Sequence, residues 1–249
     1  MRRVPATSTR GRQDAVRRLT TPPPQDADLF RRSAVRPPQD SLQRSLWLRS
    51  GHRKRMFEGF ELHYVETPEA TIRARIGGSG PPLLLLHGNP QTHAMWHRIA
   101  PPLAEHFTVV AADLRGYGES SKPPSASDHE PYSKRAMARD QVALMRHFGF
   151  EAFSVAGHDR GGRCAYRMAL DHPERVKKLA VLDILPTLEH YRRTEMAFAM
   201  GYWHWFFLPQ PYPLPEKLIG GDPEWFFKRN WPAASEPPPF FEPEALADY

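Results

Sequence analysis

The chain has 249 residues, of which 40% are apolar, enough for a sizeable core in one large or two modest domains. No apolar run nears the ~20 residues that a membrane-spanning helix needs, and a single cysteine, Cys164, excludes an internal disulfide framework and a multi-cysteine metal site and suits a cytoplasmic location. The formal net charge of +6 is unevenly placed, because residues 1–55 hold 14 of the 34 Lys/Arg and 4 of the 28 acids, leaving 20 against 24 in residues 56–249.

Residues 1–55 are rich in Arg, Pro and Gln, with proline clusters at Pro22 to Pro24 and Pro37-Pro38. A basic segment can serve nucleic acid or an anionic membrane surface, but this one lacks aromatic interleaving and any sustained amphipathic period. It reads as a disordered extension, with no nucleic-acid and no membrane partner. The pairs Arg2-Arg3 and Arg17-Arg18 are not followed by an apolar stretch, which argues against a secretory or twin-arginine signal. Met56 opens a segment, Met-Phe-Glu-Gly-Phe, that reads as the start of a domain, and the residues before it as an upstream extension of the reading frame.

From Met56 the pattern predicts strands over 60–66 and 71–76, closed by Gly77-Gly78-Ser79-Gly80. Leu83 to Leu86 is a short buried strand ending in His87-Gly88-Asn89-Pro90. A helix over 95–103 precedes a strand over 107–112, which runs into Asp113-Leu114-Arg115-Gly116-Tyr117-Gly118. Ser133 is an N-cap for a helix reaching Phe148, with Gly149 as its stop. A strand over 152–156, a turn at Gly157–Gly161, a helix to Asp171 and a strand over 178–182 ending at Asp183 complete the alternation. Near-continuous apolar strands alternating with helices predict an α/β fold, a mostly parallel sheet covered by helices on both faces over residues 56–187. From about Leu188 to Tyr249 the pattern is helical and rich in Trp, Tyr, Phe and Pro, and reads as a helical cap over the strand ends, where chemistry in such folds belongs.

Gly157-His158-Asp159-Arg160-Gly161 has the form glycine, any residue, nucleophile, any residue, glycine, between an apolar strand and a helix. In that context a strained turn lifts the central side chain clear of the sheet, so Asp159 reads as a catalytic nucleophile more readily than as an ordinary helix cap. A carboxylate needs no base to activate it, and it can attack saturated carbon, expelling a halide or opening an epoxide. Backbone N–H groups of Arg160 and of the His87-Gly88-Asn89 loop would stabilise the oxyanion formed when water attacks the resulting ester. Asp183, at the next strand end, is a candidate orienting acid for a base histidine, or a turn aspartate. Arg160 and Arg163 share a helix face beside Asp159, where they would lower its pKa and could clamp a substrate carboxylate, or else stand as solvated surface arginines.

Five stretches carry a family resemblance: Leu86-His87-Gly88-Asn89-Pro90-Gln91, Asp113-Leu114-Arg115-Gly116-Tyr117-Gly118, Gly157-His158-Asp159-Arg160-Gly161-Gly162-Arg163, Leu182-Asp183-Ile184 and Tyr202-Trp203-His204-Trp205. Residues 56–249 resemble the fluoroacetate (haloacetate) dehalogenases of the epoxide-hydrolase-like branch of the α/β-hydrolase fold. The resemblance implies Asp159 as nucleophile, Asp183 as the acid of the triad, Arg160 and Arg163 as carboxylate clamp, and His204 and Trp205 as donors to the departing halide. Without it, His204 and Trp205 would read as an aromatic stripe packing the cap. The implied activity is hydrolysis of a 2-haloacid through an alkyl-aspartyl ester, with no cofactor and no metal; a homodimer stays open. The same resemblance implies a base histidine on a loop after the last strand, whereas the last histidine here is His204. Residues 231–239 also fit the family poorly, so the chain reads as C-terminally truncated, with the final core strands missing and an apolar sheet edge left exposed. An epoxide hydrolase, for which Tyr191, Tyr202 and Tyr212 are candidate acids, and an inactive remnant are the alternatives.

Overall fold

The computed structural model describes residues 56–126, 128–229, 237 and 240–249. The basic extension expected over 1–55 lies outside the described residues. Within them, six strands form one sheet: β1 (Glu61–Glu66), β2 (Thr71–Gly77), β3 (Pro82–Leu86), β4 (Thr108–Ala112), β5 (Phe153–His158) and β6 (Val176–Leu182), in the order β1-β2-β4-β3-β5-β6. The first two strands run antiparallel to their neighbours and β3 to β6 run parallel, giving the mostly parallel α/β sheet of an α/β-hydrolase fold.

Register places the chemistry. Leu86 of β3 lies beside Ala112 of β4 and Gly157 of β5, and Gly157 lies beside Val181 of β6. Four parallel strands therefore end at one level, and the loops after them start there together. Period-two alternation divides the side chains between two cores. Leu84, Leu86, Val110, Ala112 and Val155 face one side, with Met137, Leu144, Met145, Cys164, Ala165 and Met168 packed on them. Leu85, Val109 and Ala111 face the other, against Met56, Phe57, Trp96 and Ala100.

The first-side helices are α2 (Lys134–His147) and α3 (Arg160–Asp171). Ser133 Oγ accepts from the Ala136 N–H at 3.0 Å, and Gly149 takes a left-handed φ of 82°, the cap and stop read from the sequence. The helix expected over 95–103 is instead a 3-10 turn, His93–Trp96, followed by α1 (Ala100–Ala104). Pro101 and Pro102 cause the split: proline has no N–H for the ladder and is tolerated in a helix only at its first turn, where α1 holds them.

Beyond β6 come α4 (Thr187–Arg192), α5 (Met196–Gly201), α6 (His204–Phe207), α7 (Leu214–Gly221), α8 (Pro223–Lys228) and α9 (Pro243–Asp248). The last of these, in the segment expected to be cap, lies against the core. Ala245 is buried with Met56, Leu85 and Trp96, and Asp248 accepts from Arg73 Nη2 at 2.6 Å and from Thr92 Oγ1 at 2.5 Å. Among the described residues β6 pairs on one side only, and its Leu179, Val181 and Leu182 are each about two-fifths exposed (42, 44 and 40%). No helix among the described residues is long and apolar enough to cross a membrane.

Candidate active site

The strand runs through His158 and the helix begins at Arg160, so Asp159 alone makes the turn, with φ 46° and ψ −114°. A non-glycine residue with positive φ is strained, and here the strain holds the carboxylate above the sheet end. The loop after β3 comes close enough to require glycine: a Cβ on Gly88 would meet Asp159 Cβ and His158 Nδ1 at 2.8 Å each. That approach delivers the Asn89 N–H to Asp159 Oδ1 at 2.9 Å.

Each nearby histidine has a definable task. His87 is fully enclosed; its Nε2 accepts from the Leu114 N–H at 3.0 Å and its Nδ1 lies 2.9 Å from the Gly88 carbonyl, so it carries its proton on Nδ1 and ties β3's loop to β4's. Burial pushes its pKa down, keeping it neutral. His93 is held between Asp113 Oδ1 at 2.8 Å and Arg75 Nε at 3.3 Å. His158 turns Nε2 towards Asp183 at 3.9 Å, while its Nδ1 is sealed against the Gly88 loop with no partner. Asp183 has a positive φ of 54° and a side chain 93% exposed.

The two arginines of α3 differ. Arg163 is buried, its Nη1 donating to the Leu185 carbonyl at 2.8 Å and to Thr187 Oγ1 at 3.1 Å, and its guanidinium carbon lies 4.2 Å from the Trp205 ring centre. Its Nε is buried without a partner. Burial pulls the Arg163 pKa down, the mark of a cation short of water, with Asp159 acting the other way. Arg160 is partly exposed, and its positive charge opposes the rise that burial gives the Tyr117 pKa. Trp205 also stacks on His190 at 4.9 Å. His204 is half-buried; burial lowers its pKa first, followed by Arg229 and Arg160, and Asp159 opposes them, so this imidazole shares a field with the elbow.

Asp159, Asn89, Arg160, Arg163, Trp205 and His204 thus gather around one strand end, with Asp183 at the rim. The hydroxyl of Tyr191 donates to the Trp205 carbonyl at 3.2 Å, and Tyr202 and Tyr212 are about half exposed. Tyr117 was not singled out by sequence, although it lies within Asp113-Leu114-Arg115-Gly116-Tyr117-Gly118; its hydroxyl donates to Asn89 Oδ1 at 3.1 Å. Beneath the loops, Asp113 and Arg73 form a buried ion pair at 3.4 Å. Burial alone would raise the Asp113 pKa, but His93, Arg73 and His87 hold it well below the usual carboxylate range. No group of three His, Cys, Asp or Glu able to hold a metal occurs among the described residues.

Comparison with known proteins identifies the fold family. The α/β hydrolase fold family matches residues 81–217. A fluoroacetate dehalogenase of Burkholderia sp is 55% identical over 197 residues, covering 78% of this chain and 64% of that protein. A soluble epoxide hydrolase of Corynebacterium sp. (strain C12) is 36% identical over 181 residues, covering 70% of this chain and 52% of that protein. Among solved structures, an α/β hydrolase from Nostoc sp PCC 7120 superposes with a TM-score of 0.72 at 56% identity, covering 78% of this chain and 66% of that one. The chain therefore spans between about half and two-thirds of the length of these relatives.

Proposed function

The chain belongs to the α/β hydrolase fold family, and from that premise we propose that it is a haloacetate dehalogenase-type hydrolase in which Asp159 displaces halide from a small 2-haloacid. The observation that carries the reading is the Asn89 N–H 2.9 Å from Asp159 Oδ1. With Oδ1 held, Oδ2 attacks the carbon bearing the halogen; a C–O bond forms, the C–halogen bond breaks, and its electron pair leaves on the halide. Oδ1 becomes the ester carbonyl oxygen, already facing a donor that stabilises it when water attacks Cγ. That second step returns the carboxylate and releases a 2-hydroxyacid.

Arg163 supports an acid rather than a neutral substrate. Its Nη1 is committed to Leu185 and Thr187, so the guanidinium is fixed in place, and its buried, unpartnered Nε offers a donor to an incoming carboxylate. Trp205 and His204 are placed in the reading as N–H donors to the halide, as in the dehalogenases that the chain resembles. The dehalogenase at 55% identity favours this over epoxide opening, and Tyr191, one of the three candidate acids for the epoxide reaction, spends its hydroxyl on a backbone carbonyl.

The ester-clearing step is slow in this reading. His87 and His93 have both ring nitrogens engaged, and His158 Nδ1 is sealed from water. A general base must reach the water it activates; His87 and His93 have no ring nitrogen to spare, and His158 has only Nε2, turned towards Asp183 at 3.9 Å. Incubation with chloroacetate followed by peptide mapping tests the proposal: a carboxymethyl ester on Asp159, absent from Asp159→Asn, is expected. A folded protein that leaves Asp159 unmodified overturns it.

A further inference from the structure

Arg163 and His190 meet on one ring. The Arg163 guanidinium carbon lies 4.2 Å from the Trp205 ring centre, and the His190 imidazole stacks on the same ring at 4.9 Å, with 27° between the planes. The contacts close a circuit. Arg163 Nη1 donates to Thr187 Oγ1 at 3.1 Å, Thr187 opens α4, and His190 follows it three residues later on the same helix face. His190 also packs on Phe198 of α5, with 5.4 Å between ring centres. Its neighbour Tyr191 donates to the Trp205 carbonyl at 3.2 Å. The ring and backbone of Trp205 are thus held from α3 and α4. Its indole N–H, by contrast, donates to no group among the described residues. A fixed ring with an unspent N–H suits a halide donor, since its direction is set and no competing bond has to break.

We propose that His190 is a positioning residue for halide departure: stacked on Trp205, it keeps the indole N–H aimed at the leaving group while Arg163 polarises the same ring. The inference rests on the dehalogenase reading and deepens it. Trp205 lies on α6, a helix of four residues, which is too short to hold a side chain's direction by itself. A cation above a ring face attracts the ring without setting its tilt. A second flat ring, carried on the helix that Arg163 anchors, does set it. The imidazole can share the ring with Arg163 because it is uncharged: burial first, then Arg163, pulls its pKa down, so no second cation presses on the indole at neutral pH. The indole hydrogen-bonds the departing halide and keeps its proton, so the halide leaves as the anion with the electron pair of the broken C–halogen bond.

The test uses the whole chain and two haloacetates that share a carboxylate and differ in leaving group. Fluoride leaves carbon poorly and accepts strong hydrogen bonds, whereas bromide leaves readily with little help. A misaimed donor therefore slows the first and spares the second. In His190→Leu, which keeps bulk without a flat face, single-turnover fluoride release from fluoroacetate is expected to fall about tenfold, the scale of one lost hydrogen bond to a charged group. Labelling of Asp159 by bromoacetate is expected to stay within about twofold of the unmodified chain. His190→Phe restores a flat ring and is expected to recover the fluoroacetate rate to within about threefold. Bromide binding gives a readout independent of the chemistry, through the tryptophan-fluorescence quenching that Trp205→Phe abolishes. Its half-saturation is expected to rise about tenfold in His190→Leu and to move less than about twofold in His190→Phe. Equal slowing with both reagents, no recovery in His190→Phe, or Trp205-dependent quenching that is absent from the unmodified chain or unchanged in His190→Leu overturns the proposal. If His190→Leu loses its near-ultraviolet circular dichroism, His190→Phe decides alone, and bromide affinity that falls with the flat ring in place overturns the stack. Bromide affinity that depends on His190 in a chain that never labels at Asp159 would sink the dehalogenase reading and leave the His190 assignment standing.

Discussion

The Asn89 N–H lies 2.9 Å from Asp159 Oδ1 because Gly88, beside it, has no Cβ to strike the elbow. A methyl there would meet Asp159 Cβ and His158 Nδ1 at 2.8 Å, and both belong to a strained turn with little room to move. Gly88→Ala is therefore expected to push the donor off the ester carbonyl oxygen and slow loss of the carboxymethyl group from labelled Asp159 by about 100-fold, the usual cost of losing one oxyanion donor. Decay of the labelled intact mass, followed on a variant with unchanged near-ultraviolet circular dichroism, checks this. An unaltered rate would mean that the N–H contact is incidental.

Arg163 separates charge from geometry. Arg163→Lys keeps a cation but cannot bond Leu185 and Thr187 while also presenting a fork, so half-saturation by chloroacetate is expected to rise at least ~10-fold. Chloroacetamide labelling should fall far less. If lysine restores chloroacetate affinity in full, the planar guanidinium has no special part.

Much of this site could be read before its geometry was known, and the reasons are local. Leu83 to Leu86 is so apolar that only a buried strand accommodates it, and Ser133 and Gly149 bracket α2 with a cap and a stop. The glycines around Asp159 mark the elbow for a similar reason, because close approach leaves its record in residue size. What was not legible depends on partners far apart in the chain. Nothing near Arg163 announces that Leu185 and Thr187 will hold it, and nothing near Tyr117 announces Asn89. The docking of α9 is the clearest case: Asp248 finds Arg73, and no periodicity in either segment signals it.

That docking makes a stability prediction. Arg73 is 2% exposed and lies between Asp113 and Asp248. Burial raises the Asp248 pKa, but Arg73 and His93 outweigh it and hold the group below its ordinary value. A depressed carboxylate contributes stability above its unfolded pKa and loses it as pH falls through the folded one. Asp248→Asn should thus lower the unfolding free energy by about 1–3 kcal/mol at neutral pH, less than a fully broken buried pair because Asp113 remains. The difference should shrink as both proteins are acidified. Equal stability at pH 7 would show that α9 contributes nothing through this pair.

Lys134 predicts the opposite pH trend. It opens α2 with Nζ 3.3 Å from Met137 Sδ, and burial, helped by Arg160, pushes its pKa down to about 8. A lysine whose folded pKa is depressed costs stability while charged, and the cost fades as pH rises from about 8 to the unfolded value near 10.4. Lys134→Met is expected to be more stable than the unmodified chain at pH 7 by about 1–3 kcal/mol, with the gap closing by pH 10. Denaturant titrations at the two pH values check the sign, and a gap that widens with pH contradicts the assignment.

The central claim is that Asp159 forms the alkyl ester and that the histidines around it do not clear it quickly. Chloride release from chloroacetate, measured against protein concentration alongside intact mass, tests both halves at once. The expected result is a burst of one chloride per chain, with one carboxymethyl group retained on Asp159 and absent from Asp159→Asn. A folded protein that releases no chloride contradicts the nucleophile assignment, and steady release of many chlorides per chain with no retained mass contradicts the slow second step.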